Sequence, residues 1–182
     1  MKTTLNRQIL FYDAIYKPKA EVICERLKEI NPNVNLNYYV KEITREDEQF
    51  FKYGNRLGKY DLIFGCVDNR KARFILDEFS VKHNIPYIDG GCHPKNGQVA
   101  VFFPGKTPKV TKQVKFPEGS TSCADRTASV IMSNMLIGSA MVGEAIRIFN
   151  IDNCEENSLG IFNYNIVNDE RISFKPLTIS NK

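Results

Sequence analysis

Asp61-Leu62-Ile63-Phe64-Gly65-Cys66-Val67-Asp68-Asn69 is the stretch that decides the fold. Residues 62–67 form a short, continuous apolar run, as expected of a strand buried on both faces. Asn69 is placed to cap a following helix, whose Ala72, Ile75, Leu76 and Phe79 make one apolar stripe at helical spacing. Residues 85–88 read as the next buried strand and 99–103 as another. Strands that alternate with helices define an α/β domain, here with a mainly parallel sheet and flanking helices.

Outward from this unit the pattern stays α/β. Upstream, Ala20, Ile23, Leu27 and Ile30 recur at helical spacing behind Pro18, and Asn31-Pro32 stops that helix. Residues 34–40 read as a strand, and Thr44-Arg45-Glu46-Asp47 offers an N-cap and an acidic first turn. Downstream, residues 104–121 are dominated by Pro, Gly, Lys, Thr and Ser without periodicity, which predicts a mobile crossover loop. A long helix over 128–149 follows. Residues 160–167 and 171–177 then read as an antiparallel strand pair joined by Asn168-Asp169-Glu170. No repeat breaks the chain, and residues 1–182 are expected to form a single domain.

The bulk properties exclude several classes. At 182 residues and 42% hydrophobic content the chain can bury a sizeable core. Its net charge of +4 is spread along the sequence, without the basic, aromatic-interleaved patches of nucleic-acid binding. Met1-Lys2-Thr3-Thr4 leads into polar residues and does not resemble a signal peptide. Residues 127–146 are long enough to span a membrane, but Ser129, Ser133, Asn134, Ser139 and Glu144 would be costly in lipid, so a buried helix is expected. The five cysteines are an odd number and form no C-x-x-C pair. Reduced thiols in a cytoplasmic protein fit that pattern, and a zinc site does not.

In an open α/β sheet, ligands bind beyond the carboxyl ends of the strands. Asp68-Asn69 occupies such an end. A carboxylate there could hold magnesium or orient a nucleotide's phosphates, or could simply cap the next helix. Arg7 and Lys19 are the cationic candidates, although charged side chains taken singly are mostly solvated surface residues.

Thr4-Leu5-Asn6-Arg7-Gln8, Lys17-Pro18-Lys19-Ala20-Glu21 and Ile30-Asn31-Pro32 form a series that resembles the S-N-L-N-R-Q, G-x-x-K-A and I-N-P of the ThiF/MoeB family of adenylyltransferases, the relatives of the ubiquitin-activating enzymes. The segment from Asp61 to Arg73 resembles its D-x-x-x-x-x-x-D-N-x-x-x-R, and Pro86 to Phe103 its P-x-x-D-G-G followed by G-Q-V. Ser122-Cys123-Ala124-Asp125 resembles the S-C-A-E-type segment before a long helix. The resemblance covers nearly the whole chain in the right order.

The resemblance implies a Rossmann-like fold and adenylation of the C-terminal glycine of a ubiquitin-like or sulfur-carrier protein. By position it implies that Arg7 and Lys19 contact the phosphates of ATP, that Asn6 lies close to the nucleotide, and that Asp68, followed by Asn69, handles magnesium. An adenylation needs fixed positive charge near the triphosphate, which Arg supplies as a planar fork and Lys as a point charge. Cys123 is the candidate acyl-accepting thiol, with Arg126 near in sequence. An unreactive loop cysteine is the competing reading, and Cys92 is the weaker rival.

Departures from the family carry weight too. Its G-x-G-x-x-G loop and ribose-binding acidic residue would precede Thr3, so the resemblance implies a domain that lacks the family's first β-α-β opening. That loop supplies backbone N–H donors to phosphate. The sequence therefore predicts an adenylating domain that needs a partner to complete it, and a homo- or hetero-oligomer. The alternative is an inactive scaffold that binds a carrier or partner protein. A dinucleotide-dependent oxidoreductase would need the glycine loop still more.

Overall fold

Two strands covered on both faces form the centre of the molecule. In the computed structural model, which describes residues 14–53, 60–93, 95–114, 130–150, 160–165 and 172–176, strand β2 is Tyr87–Cys92 and β3 is Asn96–Phe102. Tyr87, Ala100 and Phe102 face one side of the sheet, and Ile88, Val99 and Val101 face the other. Alternating side chains force that division, because successive Cβ atoms of a strand point to opposite faces.

Each face has its own helix. Helix α3 (Arg70–His83) places Ile75, Leu76 and Phe79 in the first cluster, with Ile63 and Ile85. Helix α5 (Ile131–Phe149) places Ile137, Met141, Ala145 and Ile148 in the second. Strand β1 is Ile63–Gly65, and the last pair is β4 (Gly160–Asn165) with β5 (Ile172–Pro176). The five described strands lie in the order β1-β2-β3-β4-β5.

The α/β class and the C-terminal antiparallel pair are as the sequence implies. The sheet is mixed, however, where a mainly parallel one was expected. Among the described strands only β1 and β2 run parallel, and β2–β3, β3–β4 and β4–β5 are antiparallel. The cause is the short connection from Cys92 to Asn96, too short for the helical crossover that parallel strands require. The turn expected at 168–170 lies outside the described residues.

Two further expectations are corrected. Residues 34–40 form no strand, since no described strand lies beside them to complete a ladder. The stretch 104–121 is also not structureless throughout. It carries a short helix, α4 (Val110–Gln113), because the buried Asp77 of α3 accepts from Val110 N at 2.9 Å and from Thr111 N at 3.2 Å. Thr111 Oγ1 donates to the same carboxylate at 2.6 Å, and Val110 and Val114 join the α3-side cluster.

Helix α1 (Lys19–Ile30) forms where predicted but buries a different face. Val22 and Cys24 are buried, whereas Ile23, Leu27 and Ile30, the stripe visible in the sequence, remain exposed. Helix α2 (Glu48–Tyr53) follows a 3₁₀ turn, Arg45–Asp47, in which Asp47 accepts from Thr44 N at 2.8 Å.

Candidate functional site

The carboxyl end of β1 runs straight into the turn Cys66-Val67-Asp68-Asn69, and α3 starts at the next residue. Asn69 is the cap: its Oδ1 accepts from Ala72 N at 2.8 Å. The capping role that competed for Asp68 is thus filled by its neighbour. Asp68 is exposed, and its carboxylate has no hydrogen bond or ion pair to a described residue.

Beneath this turn lies a buried polar cluster that the sequence motifs contain but whose construction they do not disclose. Arg73, one turn into α3, forms an ion pair with Asp89 of β2. Its Nη2 donates to Val67 O at 2.8 Å and to Gly90 O at 3.0 Å. The Arg73 side chain is 10% exposed and that of Asp89 is 0% exposed. Tyr87, two residues earlier on the same face of β2, donates its hydroxyl to Asp89 Oδ1 at 2.7 Å.

The strand register makes room for this cluster. Gly65 pairs with Asp89, and Ile63 with Tyr87. A Cβ on Gly65 would fall on the Tyr87 hydroxyl, so a side chain there and the buried tyrosine exclude one another. On the opposite face, a Cβ on Gly90 would strike Met141 of α5.

Burial dominates the electrostatics. It pushes the Asp89 carboxyl up, opposed by the Arg73 guanidinium and the Tyr87 hydroxyl, and it raises the Tyr87 phenol far above its ordinary range. The Cys66 thiol is also pushed up, first by desolvation and then by the Asp89 charge, although much of the residue's surface is exposed. Those effects disfavour a thiolate at Cys66.

Of the site residues read from sequence, the structure places Asp68 and Asn69 side by side at the carboxyl end of β1. Lys19 is exposed at the first position of α1. Asn6, Arg7 and Cys123 lie outside the described residues. Cys92, the weaker thiol candidate, is half-buried at the end of β2, its Sγ 3.9 Å from Ser133 O. Among the described residues no group of three or more His, Cys, Asp and Glu is placed to hold a metal. No described helix is long and apolar enough to cross a membrane.

The Arg73–Asp89–Tyr87 cluster was within reach of the sequence only as letters of a motif. An Arg four residues after a helix cap and an Asp in the following strand have no spacing that reveals an ion pair across elements.

The donor set at Asp68 fits a magnesium ion. Magnesium takes one or two protein carboxylates and completes its shell with water and substrate phosphate, so a single uncommitted carboxylate suits it better than an all-protein cage would.

The α/β sheet with a helix on each face is Rossmann-like, a class in which the turns beyond the strands' carboxyl ends are the usual place for ligands. More narrowly, the chain matches the model of the ThiF family over residues 2–182 and belongs to that family.

Its relatives are adenylyltransferases of sulfur carriers and activating enzymes of ubiquitin-like proteins. It is 27% identical over 163 residues to the sulfur carrier protein adenylyltransferase of Thermus thermophilus, a match covering 80% of this chain and 55% of that protein. It is 28% identical over 158 residues to the sulfur carrier protein ThiS adenylyltransferase of Bacillus subtilis, covering 84% and 45%. The crystal structure of Escherichia coli MccB with ATP superposes with a TM-score of 0.74 at 19% identity, over 99% of this chain and 54% of that one. The last likeness is one of fold. The chain spans about half the length of these relatives.

Proposed function

We propose that this chain is an adenylating domain, which joins the C-terminal carboxylate of a ubiquitin-like or sulfur-carrier protein to the α-phosphate of ATP and releases pyrophosphate. The observation that carries this reading is the Asp68-Asn69 turn: an uncommitted carboxylate at the end of a parallel strand, on a backbone held from below by Arg73 and from the helix side by the Asn69 cap. Its setting in a ThiF-family chain supports the same conclusion.

In this reading Asp68 holds the magnesium ion that accompanies ATP, and Lys19 and Arg7 bind phosphate oxygens, with Asn6 beside the nucleotide. Magnesium draws charge off the phosphates as the leaving group departs. Cys123 is the residue that would receive the acyl group if a thioester forms. The glycine loop that cradles phosphate is supplied by a segment completing the fold beside β1. The unpaired outer edge of β1 among the described strands and the exposed Ile23, Leu27 and Ile30 of α1 support that idea, because open edges and apolar faces favour a covering partner. The assembly is an oligomer in the cytoplasm.

A second reading, an inactive subunit that binds a partner or carrier protein, is favoured by another exposed apolar face. Met132, Met135, Val142, Ile146 and Phe149 form a stripe on the side of α5 turned away from the sheet.

Calorimetry of Mg-ATP with the full chain, alone and with a polypeptide carrying a glycine-loop opening, separates the two. Binding that appears or strengthens with the added segment, together with pyrophosphate exchange that Asp68→Ala abolishes, is the expected result. Cys123→Ala should spare the exchange and block a thioester. Absence of nucleotide binding under both conditions would leave the scaffold reading.

A further inference from the structure

Asp68 is useful to a metal only if its turn is held still, and the turn is anchored at two points. On the α3 side, the Asn69 side chain fixes the helix start. On the β1 side, the Val67 carbonyl accepts from Arg73 Nη2 at 2.8 Å, and the same nitrogen donates to Gly90 O at 3.0 Å. One guanidinium therefore ties the last residue before Asp68 to the neighbouring strand.

That guanidinium is itself held in place. Asp89 takes its Nη1, Tyr87 takes the other oxygen of Asp89 at 2.7 Å, and the absence of a side chain at Gly65 leaves space for the tyrosine hydroxyl. Asp89 also neutralises the charge, so no bare cation sits under Asp68 to compete with a metal. Because Arg73 is 10% exposed and directed inward, it is not a phosphate ligand.

We propose that Arg73 is the positioning residue of the Asp68 turn, pinning the Val67 carbonyl to β2 so that the Asp68 carboxylate is set to receive a divalent cation, with Asp89 and Tyr87 as its supports. The proposal rests on the nucleotide reading of the site. It requires arginine in particular, since a planar fork reaches Asp89 and two carbonyls at once and the point charge of lysine does not.

The test titrates ATP into the full chain with and without magnesium, for the parent, Arg73→Lys, Asp68→Ala and the double variant. Arg73→Lys should reduce the magnesium-dependent gain in ATP affinity by about tenfold, the low end of what supporting partners of metal ligands contribute. Metal-free ATP affinity should be unchanged, and the double variant should be no worse than Asp68→Ala alone, because both changes remove the same contribution. An undiminished magnesium gain, additive losses, or a fall in metal-free affinity would each overturn the proposal.

Hydrogen exchange at residues 66–69 separates this claim from the reading it rests on. If the parent binds no ATP at all, the nucleotide reading fails, and the positioning claim stands or falls on whether Arg73→Lys accelerates exchange at the Asp68 and Asn69 amides. Should Arg73→Lys not fold, Tyr87→Phe removes one hydroxyl and keeps the ring. It should move both readouts in the same direction by a smaller factor, and a protein indistinguishable from the parent in both would overturn the proposal.

Discussion

Two regions of the described chain are built to different standards. Around α3, apolar side chains are buried and the buried charges are paired: Arg73 with Asp89, and Asp77 with the start of α4. Around α1, the apolar stripe faces outward, Tyr38, Tyr39 and Val40 are exposed, and Lys19 stands at an exposed helix start. The contrast teaches that the turn carrying Asp68 rests on a packed, paired interior, whereas α1 buries Val22 and Cys24 and leaves its longer apolar stripe uncovered.

The sharpest way to break that comparison is to remove one partner of the buried pair. Arg73→Ala should cost about 3–5 kcal/mol, since it strands the Asp89 charge, whereas Lys19→Ala should stay within about 0.5 kcal/mol. Urea unfolding of the two variants checks this, and equal losses would erase the distinction. A hydrophobic version compares Phe79→Ala, expected to cost about 3–5 kcal/mol, with Ile23→Ala, expected below about 1 kcal/mol. Phe79 is 3% exposed and Ile23 47% exposed, so the same instrument reads both.

Asp77→Ala should cost about 1–3 kcal/mol by leaving the Val110 and Thr111 amides without an acceptor, and amide exchange should speed up at those two residues before it does in α3.

A smaller effect tests α5, which has one packed and one exposed face. Burial pushes the Glu144 carboxyl up to about 7 from an ordinary value of 4.5, opposed by Arg147. The folded state then holds a proton that the unfolded state releases, so stability should fall as pH rises from 4.5 to about 7 and level off above that. Glu144→Gln should flatten that part of the stability profile, as measured by thermal unfolding across the range. A Gln variant with the parent's slope would assign the pH dependence to other groups.

Much of this was legible in the sequence. The α3 stripe, the Asn69 cap and the α5 helix follow from spacing and capping chemistry, which act within a few residues. The misread elements depend on what lies across space. Residues 34–40 have strand-like composition but no described neighbour to pair with, and the α1 stripe has helical spacing without a surface to cover it. Nothing near helix α4 in the chain announces it, because the carboxylate that takes its first amides is Asp77, 33 residues earlier. At the site, Asp68 and Asn69 were visible as a strand end. Arg73 and Asp89 became meaningful only when α3 packed on β2 and brought a fork opposite a carboxylate.

Gly65 carries a warning for anyone who maps this protein by saturation mutagenesis. Every replacement puts a side chain where the Tyr87 hydroxyl sits, so the position should tolerate almost nothing. In a selection for activity it would score like a residue that touches the reactants, next door to one proposed to do so. Paired replacement with a smaller residue at position 87 would recover folded protein and expose the intolerance as crowding, separating a fitness signal of packing from one of chemistry.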